Sequence, residues 1–330
     1  MTLEILQPGL QTTVQDEGRL GLYAGGMPPS GAMDKASYRM GNLLVGNPDG
    51  LASLEITYLG PEIAFRDDAV IAVTGAQMTP KVNGEPIANW RSHAVRADDV
   101  LSFGFIESGA RAYLAVAGGI DVPPYDGSRS TYTLCGLGGF EGRALQAGDV
   151  VPVGTGVDGR AGLDVPVDLQ PDLGGDTELR VVVGLASYRL QPESLETFLT
   201  ADWTVTPDAN RVGYRFRGAE LHFVEREQPA GAGSDPANVV DFGYPIGSIQ
   251  IPGGVEPIAL LADAVTGGGY ATIATIISTD LDRIGQSKTN DHVRFREVTL
   301  EDALEARHQA RARLDRVRAL LTDSQEHAIG

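Results

Sequence analysis

Hydrophobic positions along this chain fall in short bursts separated by glycine, proline, asparagine and aspartate, the pattern of many strands joined by tight turns. Residues 4–6 predict a first strand stopped by Pro8-Gly9. Leu54-Glu55-Ile56-Thr57 alternates, and Ala69-Val70-Ile71-Ala72-Val73 is a continuous apolar run that predicts a strand buried on both faces. Residues 100–103 and 111–116 read as a strand pair around Gly109, and Asn83-Gly84 signals a hairpin because both central positions of a type I′ turn take positive φ. One helix interrupts this traffic. Asp34 stands as its N-cap, Ala36, Met40, Leu43 and Leu44 give it an apolar face, and Gly46-Asn47-Pro48 ends it.

The second half repeats the style. Strands are expected at 178–183, 203–206, 212–216, 221–224, 248–251, 257–261 and 272–277, with short helices after Pro192 and at 281–285 and a loop at 228–238. Thr299, with Asp302 three residues on, caps a last helix on which Leu300, Ala303, Leu304, Ala310, Leu314, Val317 and Leu321 share a face. A weak repeat runs through both halves: Asp98-Asp99-Val100, Gly148-Asp149-Val150 and Asn290-Asp291-His292-Val293 each set a turn aspartate before an alternating strand. The fold class is therefore mainly β, with barrel-like strand traffic, short helices and a C-terminal helix.

Length divides this pattern in two, since 330 residues exceed one comfortable core and domains run to about 150 residues. Residues 154–175 are rich in glycine, proline and aspartate without an apolar period. The expected organisation is a first module at 1–155, a linker at 156–177, a second module at 178–298, and the helix and tail at 299–330. A net charge of −18 argues against a nucleic-acid partner, which needs clustered cations. Arg307, Arg311, Arg313, Arg316 and Arg318 on the last helix interleave with Glu301, Asp302, Glu305 and Asp315, which reads as a solvated, ion-paired face. No apolar run approaches the roughly 20 residues of a membrane span, and the first residues lack the basic start of a secretory signal, so a cytoplasmic protein is expected. The single cysteine, Cys135, excludes an internal disulfide. His93, His222, His292, His308 and His327 have no metal-ligand spacing, and no metal site is expected.

Chemistry concentrates in a few places. Gln15, Asp16 and Arg19 occupy a polar turn in which the arginine and the aspartate can satisfy each other. Glu55 is a carboxylate in an otherwise apolar strand, where it must be paired or protonated. Ser128-Arg129-Ser130-Thr131 offers hydroxyls and a guanidinium to a carboxylate or phosphate, and Asn210-Arg211 is a sparser version. Thr266-Gly267-Gly268-Gly269-Tyr270 could bare backbone amides as an anion cradle, although no Walker lysine follows.

The succession TTVQDEGR, PPSGAMD, NLLVGNP and LEIT, resumed downstream by GSRST, NRVGY, GSIQIP and LAD, resembles the family containing allophanate hydrolase subunit 2, the carboxyltransferase domain of urea amidolyase, and component C of bacterial 5-oxoprolinase. That resemblance covers nearly the whole chain and implies two cyclophilin-like β-barrel modules. It makes Asp16, Arg19, Glu55 and Asp263 the catalytic candidates. Its candidate ligand contacts in the first half are Gln15, Ser30, Asp34, Ser128 and Arg129. In the second half they are Asn210, Arg211, Gln250, Thr266, Gly267, Gly268 and Tyr270. One departure matters: where the family pattern is similar to Thr-Thr-Gly-Gly-Tyr-Pro-Lys, this chain has Ala271 for the proline and Thr272 for the lysine. If that charge is replaced, Arg19, Arg129 and Arg211 are the candidates.

The resemblance implies a heteromeric enzyme. A smaller allophanate hydrolase subunit 1-type protein is the expected partner, with a third 5-oxoprolinase component in the ATP-dependent opening of a small lactam or amide. With no nucleotide-binding loop, ATP would be shared with partner chains. With no Ala-Met-Lys-Met segment, biotin would arrive on another chain if the activity is carboxyl transfer to urea. A non-catalytic role as partner of a small kinase-inhibitor protein is the third reading.

Overall fold

The computed structural model describes residues 1–173, 175–184 and 186–326. Residues 174 and 185 and the tail with His327 lie outside them. Strand residues outnumber helical ones, 37% to 18%, so the chain is mainly β as its pattern predicts. It divides into two compact units: Met1–Arg19, Ser30–Leu173 and the chain from Ala310 form the first, and Leu20–Pro29 with residues 175–309 form the second.

The first unit is a nine-stranded antiparallel sheet. One path through it runs Gln11–Gln15, Ser53–Thr57, Val100–Val116, Glu62–Phe65, Thr2–Gln7 and Val150–Pro152. Ala69–Val82 pairs along the length of Val100–Val116 and carries Glu85–Pro86 and Ser92–Val95. Val100–Val116 is thus one strand of 17 residues and not a hairpin. Gly109 does take positive φ, at 78°, yet it sits where the ladder to Ala69–Val82 shifts register, so it marks a bulge and not a reversal. Leu3, Ile5, Leu54, Ile56, Phe65, Ile71, Leu101 and Leu114, all without exposed surface, fill one face.

The helix Lys35–Leu44 lies on this unit and starts where its cap predicts, with Asp34 accepting from the Ser37 amide at 2.9 Å. Its buried face is more polar than expected. Ser37, Tyr38, Gly41 and Asn42 join Met40 and Leu44 inside, while Ala36 and Leu43 are only half-buried. Gly41 is required by close approach: a Cβ there would meet Thr74 Oγ1 at 2.9 Å. A second apolar cluster joins Met40, Leu44 and Val45 to Trp90, Val317 and Leu321. It also holds Leu163, Val165 and Leu169 from the stretch read as a linker, whose backbone is tied by Val165 N–H donating to Trp90 O at 2.9 Å.

The second unit is a closed barrel in the order Thr177–Val183, Thr272–Ile276, Ser248–Gln250, Ile258–Leu260, Gly213–Arg217, Trp203–Ala209 and His292–Glu297. Parallel pairing of its first and last strands closes it. Phe198, Trp203, Phe216 and Phe295 pack inside, the Phe198 and Phe295 rings stacking at 4.7 Å. Residues 221–224, expected as a strand, make only a bridge between Leu190 and Phe223. A two-stranded ribbon instead pairs Asn238–Gly243 with Gly267–Tyr270.

The three aspartate turns share one geometry. Arg96, Gln146 and Lys288 amides donate to Oδ2 of Asp99, Asp149 and Asp291 at 2.7, 2.7 and 2.9 Å. The intervening Asp98, Gly148 and Asn290 take φ of 69°, 89° and 72°. Positive φ at that position and an acceptor for the first amide of the turn explain the repeated residues without further assumption.

The C-terminal helix Leu300–Glu326 begins on its capping box, Asp302 N–H donating to Thr299 Oγ1 and Thr299 N–H to Asp302 Oδ2, both at 3.1 Å. Ala303 and Ala306 pack in the second unit, and Leu314, Val317 and Leu321 in the first. Leu300, Leu304 and Ala310, expected on the inner face, are exposed. Two of its arginines are ion-paired, Arg318 with Asp315 and Asp49, and Arg316 with Asp168.

Candidate functional site

In the first unit two motifs more than 100 residues apart are tied into one knot. Asp16, 7% exposed, accepts through Oδ1 from the Gly18 amide at 2.8 Å, the Ser128 hydroxyl at 2.6 Å and the Ser130 hydroxyl at 2.5 Å. Its Oδ2 accepts from the Arg129 amide at 2.5 Å. Arg19 reaches elsewhere, donating to Ser130 O and, at 3.2 Å, to Tyr125 O, with its guanidinium 5.6 Å from the Tyr125 ring centre. Gln15 donates to Thr13 Oγ1 and Thr131 O. Of the hydroxyls expected to meet an anion, those of Ser128 and Ser130 therefore serve Asp16, and that of Thr131 donates to Val14 O at 3.0 Å. Arg129 is likewise engaged, by Val122 O and Asp121 at 2.8 Å each.

The other side of this turn is held by the helix. Glu17 is gripped bidentately by Arg39, at 2.6 and 2.7 Å, and Lys35 donates to Glu17 O. Ala32 N–H donates to Asp16 O at 2.9 Å, which brings the loop at 30–34 against the turn. In that loop Ser30 takes φ of 55° and its buried hydroxyl has no hydrogen-bond partner. Both features are costly for a serine, and they make Ser30 the ligand candidate of this unit that is not already committed.

Beneath the loop, Glu55 accepts from the Met33 amide and the Tyr113 hydroxyl, each at 2.9 Å, and lies 3.7 Å from the Arg111 guanidinium. Tyr113 accepts in turn from the Asp34 amide at 2.8 Å. Burial, with the charges of Glu55 and Asp34 beside it, pushes the Tyr113 phenol well above its ordinary pKa, so it stays a donor. Asp34 is occupied by Ser37, through both amide and hydroxyl. Glu55 and Tyr113 thus hold the two residues that open the helix. Tyr113 carries no sequence signal of its own, although it sits in register opposite Glu55.

In the second unit Asp263 and Arg211 are bound to each other at 2.8 and 3.2 Å, both nearly enclosed, with the Asp263 amide donating to Arg211 O. Asn210 forms a turn, its Oδ1 accepting from the Val212 amide at 2.8 Å. The glycine triplet is not an open loop. Gly267–Tyr270 is a strand, and Tyr244 beside it accepts from the Tyr270 amide at 2.7 Å and donates to Tyr270 O at 3.0 Å. Glycine at 268 admits this phenol, since a Cβ would lie 3.1 Å from the Tyr244 ring. Thr266 O accepts from the Tyr244 amide, and Tyr23 donates to Tyr244 O. No sequence signal marks Tyr244 beyond its place between glycine and proline. Gln250 ends a barrel strand, buried opposite Thr272.

These sites can be set beside known proteins. A family model described as carboxyltransferase domain, subdomain A and B, matches residues 25–297. The chain is 35% identical to the C component of the 5-oxoprolinase of Escherichia coli over 92% of its own length and 94% of that protein. It is 34% identical to the urea amidolyase of Saccharomyces cerevisiae over 91% of its length, but only 17% of that much longer chain. The crystal structure of the K. lactis urea amidolyase superposes with a TM-score of 0.90 at 33% identity, covering 96% of this chain and 20% of that one.

Proposed function

This chain belongs to the carboxyltransferase domain A and B family, and from that premise we propose that it is the substrate-holding member of a heteromeric, ATP-dependent 5-oxoprolinase, opening a lactam to the amino acid. The observation that carries this reading is likeness: the chain is 35% identical to the E. coli 5-oxoprolinase component over 92% of its own length. A smaller protein of the allophanate hydrolase subunit 1 type is its partner, with a third component, in the cytoplasm.

The residues present do not fit a triphosphate. The glycine triplet is laddered into a ribbon, the Tyr270 amide is taken by Tyr244, and the Arg129 and Arg211 guanidiniums are engaged by Asp121 and Asp263. The nucleotide is accordingly assigned to a partner chain. What this chain contributes is rigid placement: Glu55 and Tyr113 fix the backbone of Met33 and Asp34, and Asp16 fixes the turn beside Ser30.

Reconstitution tests the proposal. The chain co-purified with its smaller partner and the third component is expected to convert 5-oxoproline and ATP to glutamate and ADP, whereas the chain alone is inactive. Turnover by the single chain, or none by any reconstituted complex, would overturn it. A second reading, carboxyl transfer from a biotin carried on another chain to urea, is favoured by the description of the matching family model; carboxylated urea from such a mixture would establish it.

A further inference from the structure

Two buried polar atoms of the second unit's barrel have no hydrogen-bond partner, and the residues that carry them are partners across a ladder. Gln250 is 9% exposed and Thr272 fully buried, and neither Gln250 Oε1 nor Thr272 Oγ1 is satisfied. The two residues are Cα partners on neighbouring strands, Gln250 the last residue of Ser248–Gln250 and Thr272 the first of Thr272–Ile276, so both stand at one end of the barrel. The register shifts at this pair, the local irregularity that often accompanies a binding site. Thr272 is otherwise well tied, its carbonyl accepting from the Ala186 amide at 3.0 Å. Only the hydroxyl is left over. Folded proteins seldom leave such groups unsatisfied, and two in register at one strand end offer a polar partner both an acceptor and a donor.

We propose that Gln250 and Thr272 recognise the edge of a cis amide, the lactam N–H donating to Gln250 Oε1 and the lactam C=O accepting from the Thr272 hydroxyl. This rests on the lactam reading above. Side chains of ladder partners stand about 5 Å apart at Cβ, a separation that two hydrogen bonds of about 2.9 Å to adjacent atoms of one ligand can span. A lactam ring holds N–H and C=O on the same edge, whereas an ordinary trans amide points them in opposite directions and can engage only one partner. The pair is also uncharged. Arg211, the cation of this unit offered as a substitute for a lysine at position 272, is held by Asp263, so the site suits a neutral group rather than a phosphate. Gln250 keeps the little exposure the pair has, and its long unbranched side chain can swing aside to admit the ligand.

The test uses the full chain with its smaller partner, two neutral probes, and two near-isosteric variants. By calorimetry, 2-pyrrolidinone is expected to bind at least roughly tenfold more tightly than N-methylacetamide, which is trans. Thr272→Val and Gln250→Met should each weaken 2-pyrrolidinone by about tenfold or more, the cost of one lost hydrogen bond to a buried group. Thr272→Val should leave the melting temperature unchanged or raised, because the hydroxyl it removes makes no bond. Equal affinity for the two probes, no binding to the wild type, unchanged binding in both variants, or a lowered melting temperature for Thr272→Val would each overturn the inference. Turnover of 5-oxoproline measured alongside separates the two levels. Full activity in both variants sinks this site but keeps the lactam reading; edge-selective binding without turnover in any reconstituted complex keeps the site but sinks that reading.

Discussion

Replacing Asp16 by asparagine keeps the shape of the side chain and changes what it can accept. In the wild type one oxygen takes three donors, the Gly18 amide and the Ser128 and Ser130 hydroxyls, and the other takes the Arg129 amide. An asparagine oriented to keep the three donors turns its NH2 toward the Arg129 amide, donor against donor. Leaving that buried amide unmade costs about 1–3 kcal/mol, and each remaining bond loses its charge assistance, about 1 kcal/mol apiece. These losses are coupled and partly offset by the easier burial of a neutral group, so the expected destabilisation is about 3–5 kcal/mol. For a unit of this size each kcal/mol shifts the melting temperature by roughly 2–4 °C, so the first unit's transition should fall by on the order of 10 °C in calorimetry. Ser128→Ala removes one donor to Asp16 and the acceptor of the Ser130 amide, and should cost about 2–4 kcal/mol. The reasoning fails if Asp16→Asn melts within about 1 kcal/mol of wild type. It fails most clearly if activity of the reconstituted complex disappears while stability is untouched, because Asp16 would then act on substrate and not on the fold.

Asp263→Ala removes the carboxylate paired with Arg211 in a nearly enclosed place and should destabilise the second unit by about 3–5 kcal/mol in urea denaturation, with replacement of both partners by apolar residues costing less. Asp99 and Asp149 have their pKa lowered, Asp99 first by the Arg96 amide and Asp149 first by its hydrogen bond from Arg143. Their stabilisation is therefore complete above the unfolded carboxylate pKa of about 4 and is lost as pH falls through the lower folded values, so Asp99→Asn with Asp149→Asn should flatten the acid limb of a stability–pH curve. Tyr113 behaves oppositely: with its folded pKa raised by burial, stability is present below about pH 10 and declines above it, so phenolate absorbance from Tyr113 should emerge only with unfolding. Gly268→Ala should push the Tyr244 ring aside and free the Tyr270 amide to exchange with solvent hydrogen, without unfolding the barrel.

Much of the local structure is legible in the sequence because single residues dictate it. Asp34 announces its helix, Thr299 and Asp302 announce theirs, and the aspartate turns announce the strands that follow them. Glycine is harder to read. Gly109 and Gly84 both take positive φ, but one bulges a continuing strand and the other reverses the chain, and only the pairing partner decides which. Glycines 267–269 form a strand against their own propensity, and at 268 the Tyr244 ring needs the space that glycine leaves. The same limit applies to the site. Ser128, Ser130, Arg129 and Arg211 are polar groups of the right kind, yet the structure engages them internally, while Ser30, Gln250 and Thr272, among the groups it leaves unsatisfied in the described residues, differ from their neighbours only by having no local partner. Sequence shows which atoms can bond and not which bonds are already made.

The first unit is assembled from chain that lies on both sides of the second, and Val317 and Leu321 pack with Met40 and Leu44. During synthesis, then, the early strands wait for the end of a helix that is made after the second unit. At translation rates of about 5–20 residues per second, the cluster around Met40 stays uncovered for roughly 14–54 s while the intervening residues are made. The barrel of the second unit takes all its strands, His292–Glu297 last, from chain made before Val317, so it can close before that cluster is covered. A chain truncated before residue 310 would carry every strand of the barrel and an open apolar face, the state most in need of a chaperone.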